Sequence, residues 1–344
     1  MIVLTLVSLL FVLAPEIFSC STFCLQNDNS IVYGYNFDWH EINGYVYLNK
    51  RNVVKTAFMP WSEAPATWQS KYGSITFNAF GREFPLSGMN EAGLVIATMW
   101  LSGTQYPSPD DRSTISESQW IQYQLDNAAT VADVIASDKM VRISQHTPAP
   151  IHYLVCDGNG NAAAIEFLEG KLVCHTGNDL PVKLLTNSPY SQSLASLNAI
   201  KDFNAIDVSG QSRFIRGAFM IDVYEKDHEK PIVDYAFDIL NYISQDFTRW
   251  TMVFDISTCE VYFKTFRHDR IQKIRMNDLE FDCDAPCIVM NVDGNVGDGF
   301  EIYTPERNLA LIKYCSTLEP LFQDIPPELW EKMARYPQLL RCGE

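Results

Sequence analysis

Short apolar blocks separated by polar turns fill the first hundred residues, a spacing that predicts strands. Asn27-Asp28-Asn29 forms a polar turn before Ser30-Ile31-Val32-Tyr33-Gly34, so the stretch from Cys20 reads as a hairpin with Cys20 at its free end. Tyr45-Val46-Tyr47-Leu48 and Ser74-Ile75-Thr76-Phe77 read as further strands, and residues 89–93 as a turn into the continuous apolar run 94–100, a buried strand. Helical spacing of Trp120, Ile121, Gln124 and Leu125 predicts a helix over 116–127, and Thr130 caps a second over 131–137. Strands return at 151–155, 163–167 and 171–174, helices at 191–202, 213–224 and 235–244, and a hairpin joins 250–255 to 260–264. No repeat or linker divides the chain, and this order predicts sheets packed together with helices outside.

Met1 to Leu13 is apolar apart from Thr5 and Ser8, too short a run for a bilayer span of ~20 residues. With Pro15 behind it and small Ser19 at its end, it reads as a signal peptide over 1–19, although no Lys or Arg precedes it and Ile17 is bulky near the cut. The competing readings are a buried first element and a lipoprotein signal acylated on Cys20; bulky Phe18 argues against the second. Removal of the leader predicts a secreted or periplasmic protein without stable membrane insertion, folded as one domain over 20–344. Residues 279–344, with Pro326-Pro327 and a Trp330-bearing helix, form an extension that packs on the core or on a neighbouring subunit, which leaves a homo-oligomer open.

The composition is that of a globular protein, and a net charge of −16 without a basic run argues against a nucleic-acid or anionic-membrane partner. Nine cysteines leave at least one thiol unpaired; if that is Cys20, as many as four bridges remain open. Cys283 and Cys287 lack a second nearby Cys or His pair, which argues against zinc.

Cutting after Ser19 would make Cys20 the chain head, so that its thiol and free α-amine would form a nucleophile and a base in one residue. With reference pKa values of ~8.5 and ~7.7–8, the amine accepts the thiol proton near neutrality, and no histidine is required. Such a site needs a group to orient the amine, and the return strand of the hairpin offers Asp38. A Cys–His pair is the rival chemistry, but none of His40, His146, His152, His175, His228 and His268 lies in a recognisable motif. Residues 157–161 and 293–295 are Asp/Asn/Gly-rich but lack EF-hand positions, and read as hairpin turns rather than calcium loops.

Six segments in order give the sequence a resemblance to the choloylglycine hydrolase and penicillin V acylase family. Cys20-Ser21-Thr22-Phe23 is similar to its mature start, and Tyr33-Gly34-Tyr35-Asn36-Phe37-Asp38-Trp39 resembles its Gly-Arg-Asn-x-Asp-Trp segment. Residues 68–74 and 88–94 resemble the next two landmarks, and Leu185-Thr186-Asn187-Ser188-Pro189 and Ser212-Arg213-Phe214-Ile215-Arg216 the last two. The resemblance implies an α+β, four-layer αββα N-terminal nucleophile hydrolase with two mainly antiparallel sheets between helical layers. It also implies cleavage of a small N-acyl amide without metal or organic cofactor. Residue by residue, it implies Cys20 as nucleophile and base, Asp38 on the amine, Asn187 with the Trp100 N–H as the oxyanion hole, and Arg213 near the sulfur. Tyr35 and Trp39 are expected in the substrate pocket. Tyr35 stands where the family has arginine, and this departure supports the rival reading of a secreted, non-catalytic binding protein on the same scaffold.

Overall fold

The computed structural model describes residues 19–60, 62–227, 229–318 and 326–343; apart from Ser19, the expected leader lies outside them. Among the described residues two antiparallel sheets lie face to face. One has six strands in the spatial order Leu184–Leu185, Ser21–Gln26, Ile31–Asp38, Thr248–Asp255, Glu260–Thr265, Gln272–Arg275. The other has nine and runs from Lys171–Thr176 through Ala162–Leu168, Ile151–Cys156, Val95–Trp100, Ser87–Asn90, Ser74–Asn78 and Tyr45–Asn49 to Ile288–Asn291 and Glu301–Ile302.

The continuous apolar runs follow from burial on both faces of the second sheet. Val95, Ala97, Met99 and Leu154 belong to the core shared with Tyr33, Tyr35, Phe37 and Met252 of the first sheet. Ile96, Ile151, Tyr153 and Val155 alternate with them and pack against Trp120, Ile121 and Leu125. Those last residues lie on the helix Glu117–Asn127, which Ser116 starts by accepting from the Gln119 N–H, as the spacing predicts. Thr130 caps Val131–Ala136 in a full capping box with Asp133. Helices Arg213–Lys226 and Ile232–Tyr242 cover the first sheet's outer face, where Asn36 Nδ2 donates to Leu240 O at 2.8 Å. The result is helix, sheet, sheet, helix, as expected.

The hairpin from Cys20 forms with Ser21 opposite Asn36 and Phe23 opposite Gly34. The glycine is needed there, because a Cβ on Gly34 would stand 2.4 Å from the Phe23 ring. Across the sheets, Sγ of Cys24, on the strand Ser21–Gln26 that follows Cys20, lies 2.6 Å from Cys156 Sγ.

Several boundaries differ from the expectations. The helix at 191–202 is Tyr190–Asn198, and that at 235–244 starts earlier, at Ile232, directly after Pro231, whose carbonyl accepts from the Tyr235 N–H at 3.0 Å. Residues 87–90 are a strand, so the turn into Val95 is shorter than expected. The extension beyond 278 is woven into the fold: Ile288–Asn291 pairs with Tyr45–Asn49, and Arg341–Cys342 pairs with Val53–Thr56. Cys283 is bonded to Cys342, so it is not available for the zinc arrangement that its spacing to Cys287 raised.

This bridge closes a sequence separation of 59 residues. Chain entropy alone assigns such a loop up to about 4 kcal/mol of stabilisation. Non-reducing peptide mapping is expected to recover the two segments joined. Mild reduction is expected to lower the unfolding midpoint, and separately alkylated Cys283 and Cys342 in unreduced protein would contradict the assignment.

Candidate active site

The five candidate residues come from five separate elements, and the fold brings four of them to one end of the first sheet and the fifth beside them from the second. Cys20 precedes the strand Ser21–Gln26, Asp38 ends the neighbouring strand, Asn187 follows Leu184–Leu185, and Arg213 opens the helix Arg213–Lys226. Trp100 ends a strand of the second sheet.

Arg213 joins them. One of its terminal nitrogens, Nη1, donates to Cys20 O at 2.8 Å and to the Ser21 hydroxyl, and lies 3.9 Å from Asp38 Oδ2. The other, Nη2, donates to Asn187 Oδ1 at 2.9 Å. Since guanidinium only donates, this contact fixes the orientation of the Asn187 amide and turns its NH2 group to the opposite side. There Asn187 Nδ2 donates to Trp100 O at 2.8 Å, which uses one of its two N–H groups. The two expected oxyanion residues are therefore neighbours.

Asp38 is fully buried. Its Oδ1 accepts from the Thr248 hydroxyl at 2.5 Å, while Oδ2 has no hydrogen-bond partner among the described residues. Burial pushes its carboxyl up to about 7, opposed by Thr248, Arg213 and Arg249. The Cys20 thiol is also buried and lies 3.9 Å from Asp38 O. Burial first, and then the Asp38 charge, push this thiol up to about 12; Tyr35 and, last, Arg213 act the other way. Arg213 lowers the thiol and, through its hydrogen bonds, also links Cys20 and Asn187 beside Asp38.

Two pocket expectations need correction. Tyr35 is 0% exposed because strand alternation turns it between the sheets; its hydroxyl lies 2.9 Å from Thr98 O and 3.7 Å from Cys20 Sγ. It sits beneath the thiol and forms no wall of an open pocket. Trp39 is buried too, stacked on Phe37 at 5.5 Å and edge-on to Phe80. The space that does open beside Asn187 and Arg213 is a cleft of about 380 Å³ with polar walls that include Thr186, Ser193, Arg216 and Gln245. Apolar walls occur instead in a small pocket of about 80 Å³ between Phe58, Phe80, Phe84, Leu329 and Met333.

Asp157, one of the two calcium candidates, accepts from the N–H groups of Val131, Asn159 and Asn161 and so organises a turn. His152 is buried against Glu166 and Thr186 O. Sequence reasoning missed that contact, although an ionisable residue within the apolar strand Ile151–Cys156 was a visible signal.

With the geometry in hand, comparison with known proteins identifies the class. The model of the linear amide C–N hydrolases, choloylglycine hydrolase family, matches residues 20–289, and the chain belongs to that family. It is 27% identical over 260 residues to the penicillin V acylase of Pectobacterium atrosepticum, covering 62% of this chain and 69% of that one. Among solved structures, penicillin V acylase from Agrobacterium tumefaciens superposes with a TM-score of 0.69 at 23% identity, over 83% of this chain and 98% of that one. A mutant conjugated bile acid hydrolase from Clostridium perfringens gives 0.66 at 20% identity, over 83% and 96%. These two likenesses concern the fold, which is that of the N-terminal nucleophile hydrolases.

Proposed function

We propose that the protein is an exported amidohydrolase that cleaves linear, non-peptide N-acyl amides with Cys20 as the amino-terminal nucleophile. The observation that carries this reading is the buried Oδ2 of Asp38, which accepts no hydrogen bond among the described residues and has Arg213 Nη1 only at 3.9 Å, within the brace that also holds Cys20. A buried carboxylate oxygen without a donor is costly. An ammonium on Cys20, created by trimming after Ser19, would supply that donor and hold the amine beside its own thiol.

The reaction then uses these groups in turn. The α-amine takes the thiol proton, and sulfur attacks the amide carbonyl. The oxyanion is received by the second N–H of Asn187 Nδ2 and by the Trp100 N–H. The leaving amine departs with the proton held on the α-amine, which leaves a thioester on Cys20. The amine next deprotonates a water, the water attacks the thioester, and the carboxylic acid leaves with the thiol restored.

Intact mass and terminal sequencing of the exported protein are expected to find Cys20 first, with an unblocked amine. Penicillin V, a glycine-conjugated bile salt and a long-chain N-acyl homoserine lactone form a panel in which at least one amide is turned over. A mature chain that begins elsewhere, or carries acyl mass on Cys20, would exclude the mechanism. One equivalent of bound acyl group without turnover would instead identify the non-catalytic binder, the reading that Tyr35 favours.

A further inference from the structure

We propose that His152 and Glu166 are a positioning pair that holds the Asn187 amide in register for the oxyanion, an inference that rests on the reaction proposed above. Asn187 lies in the segment Thr186-Asn187-Ser188-Pro189-Tyr190, and the pair grips this segment on both sides of Asn187. His152 Nε2 lies 2.7 Å from Thr186 O, and the Tyr190 N–H donates to Glu166 Oε1 at 3.0 Å. His152 Nδ1 and Glu166 Oε1 are 3.1 Å apart, which closes the clamp. The two side chains come from adjacent antiparallel strands in which Tyr153 pairs with Ile165, so they share a face.

Both residues are fully buried. Removing two ionisable side chains from water inside apolar strands carries a penalty that packing alone does not recover. Directional hydrogen bonds are what the pair adds. A carbonyl only accepts, so His152 must carry a proton on Nε2 to bind Thr186 O. One further proton lies in the bridge, either on Nδ1 facing a carboxylate or on Glu166 donating to Nδ1. The pair is neutral overall in both cases, and Nε2 donates in both. His175 Nε2, 3.5 Å from Glu166 Oε2, backs the carboxyl group from its other side. The segment thus has fixed ends, and Asn187 between them reaches both Arg213 and Trp100 O.

The test compares trimmed wild-type protein with His152→Leu, His152→Gln, Glu166→Ala and Glu166→Gln, using the panel amide that wild type turns over fastest. Losing the clamp is expected to lower kcat by roughly 10- to 100-fold in His152→Leu and Glu166→Ala, less than the loss of an oxyanion donor itself, with KM within about twofold. His152→Gln, whose amide N–H reaches Thr186 O, restores part of kcat. Glu166→Gln restores part of it, since an amide oxygen in the Oε1 position still accepts from the Tyr190 N–H, although that same oxygen cannot also donate to His152 Nδ1. Alkylation of Cys20 by iodoacetamide needs a thiolate but no oxyanion, so its rate is expected to stay at the wild-type value. Unchanged kcat in His152→Leu, or alkylation falling in step with kcat, would overturn the proposal. If that variant does not fold, Glu166→Ala against Glu166→Gln decides it, equal kcat being the overturning result. A wild-type protein inert on the whole panel removes reaction and clamp together; turnover with equal kcat removes the clamp alone.

Discussion

Replacing Cys20 by serine is expected to reduce amide hydrolysis by roughly a thousandfold or more, the loss typical of a missing nucleophile. The untrimmed chain should be equally inert, for a reason visible in the electrostatics. While Cys20 is peptide-linked to Ser19 it has no amine, and its thiol is held at about 12 by burial and by Asp38. At about pH 7.5 such a thiol is almost wholly protonated. Iodoacetamide labelling of Cys20 in untrimmed protein should therefore rise tenfold per pH unit with no plateau below about 11. In trimmed protein it should level off far lower, because an adjacent ammonium favours thiolate. Equal labelling profiles before and after trimming would defeat this account.

Arg213→Ala should have the next largest effect, a fall in kcat of roughly 100- to 1,000-fold, comparable to the loss of an oxyanion donor. The guanidinium binds the Cys20 carbonyl, the Ser21 hydroxyl and the Asn187 amide at once. Without it the Asn187 side chain is free to flip and Asp38 loses a nearby cation. Arg213 and Arg249 both lower an Asp38 carboxyl that burial holds at about 7. Removing one cation raises it further, so the acidic limb of the pH–rate profile should move to higher pH. Arg213→Lys should recover little, since a point charge cannot span three acceptors. A variant with normal kcat and an unmoved acidic limb would deny Arg213 the bracing role.

The longer elements were legible because their signals are local. The Asn27-Asp28-Asn29 turn set the hairpin from Cys20, and helical spacing over 116–127 and the cap at Thr130 placed two helix starts within a residue. Strands such as Thr67–Gln69, Ser113–Ile115 and Arg341–Cys342 were not legible, since two or three residues carry no period and are strands through their partners. The candidate residues could be named in sequence, whereas their division of labour depends on three-dimensional contact. Arg213 was expected near the sulfur, but its hydrogen bonds to Cys20 O and Asn187 Oδ1 join residues far apart in sequence and could not be read there. Tyr35 looked like pocket wall, yet strand parity turned it inward, and His152 went unassigned because Thr186 and Glu166 are distant in sequence.

The placement of Tyr35 has an experimental consequence. Its ring has no exposure to solvent and its hydroxyl lies against Cys20 Sγ, well inside the protein. A fluorine atom introduced on that ring during biosynthesis would be a resonance probe built in from below, sensing whether sulfur is neutral, ionised or esterified while leaving the cleft above unaltered.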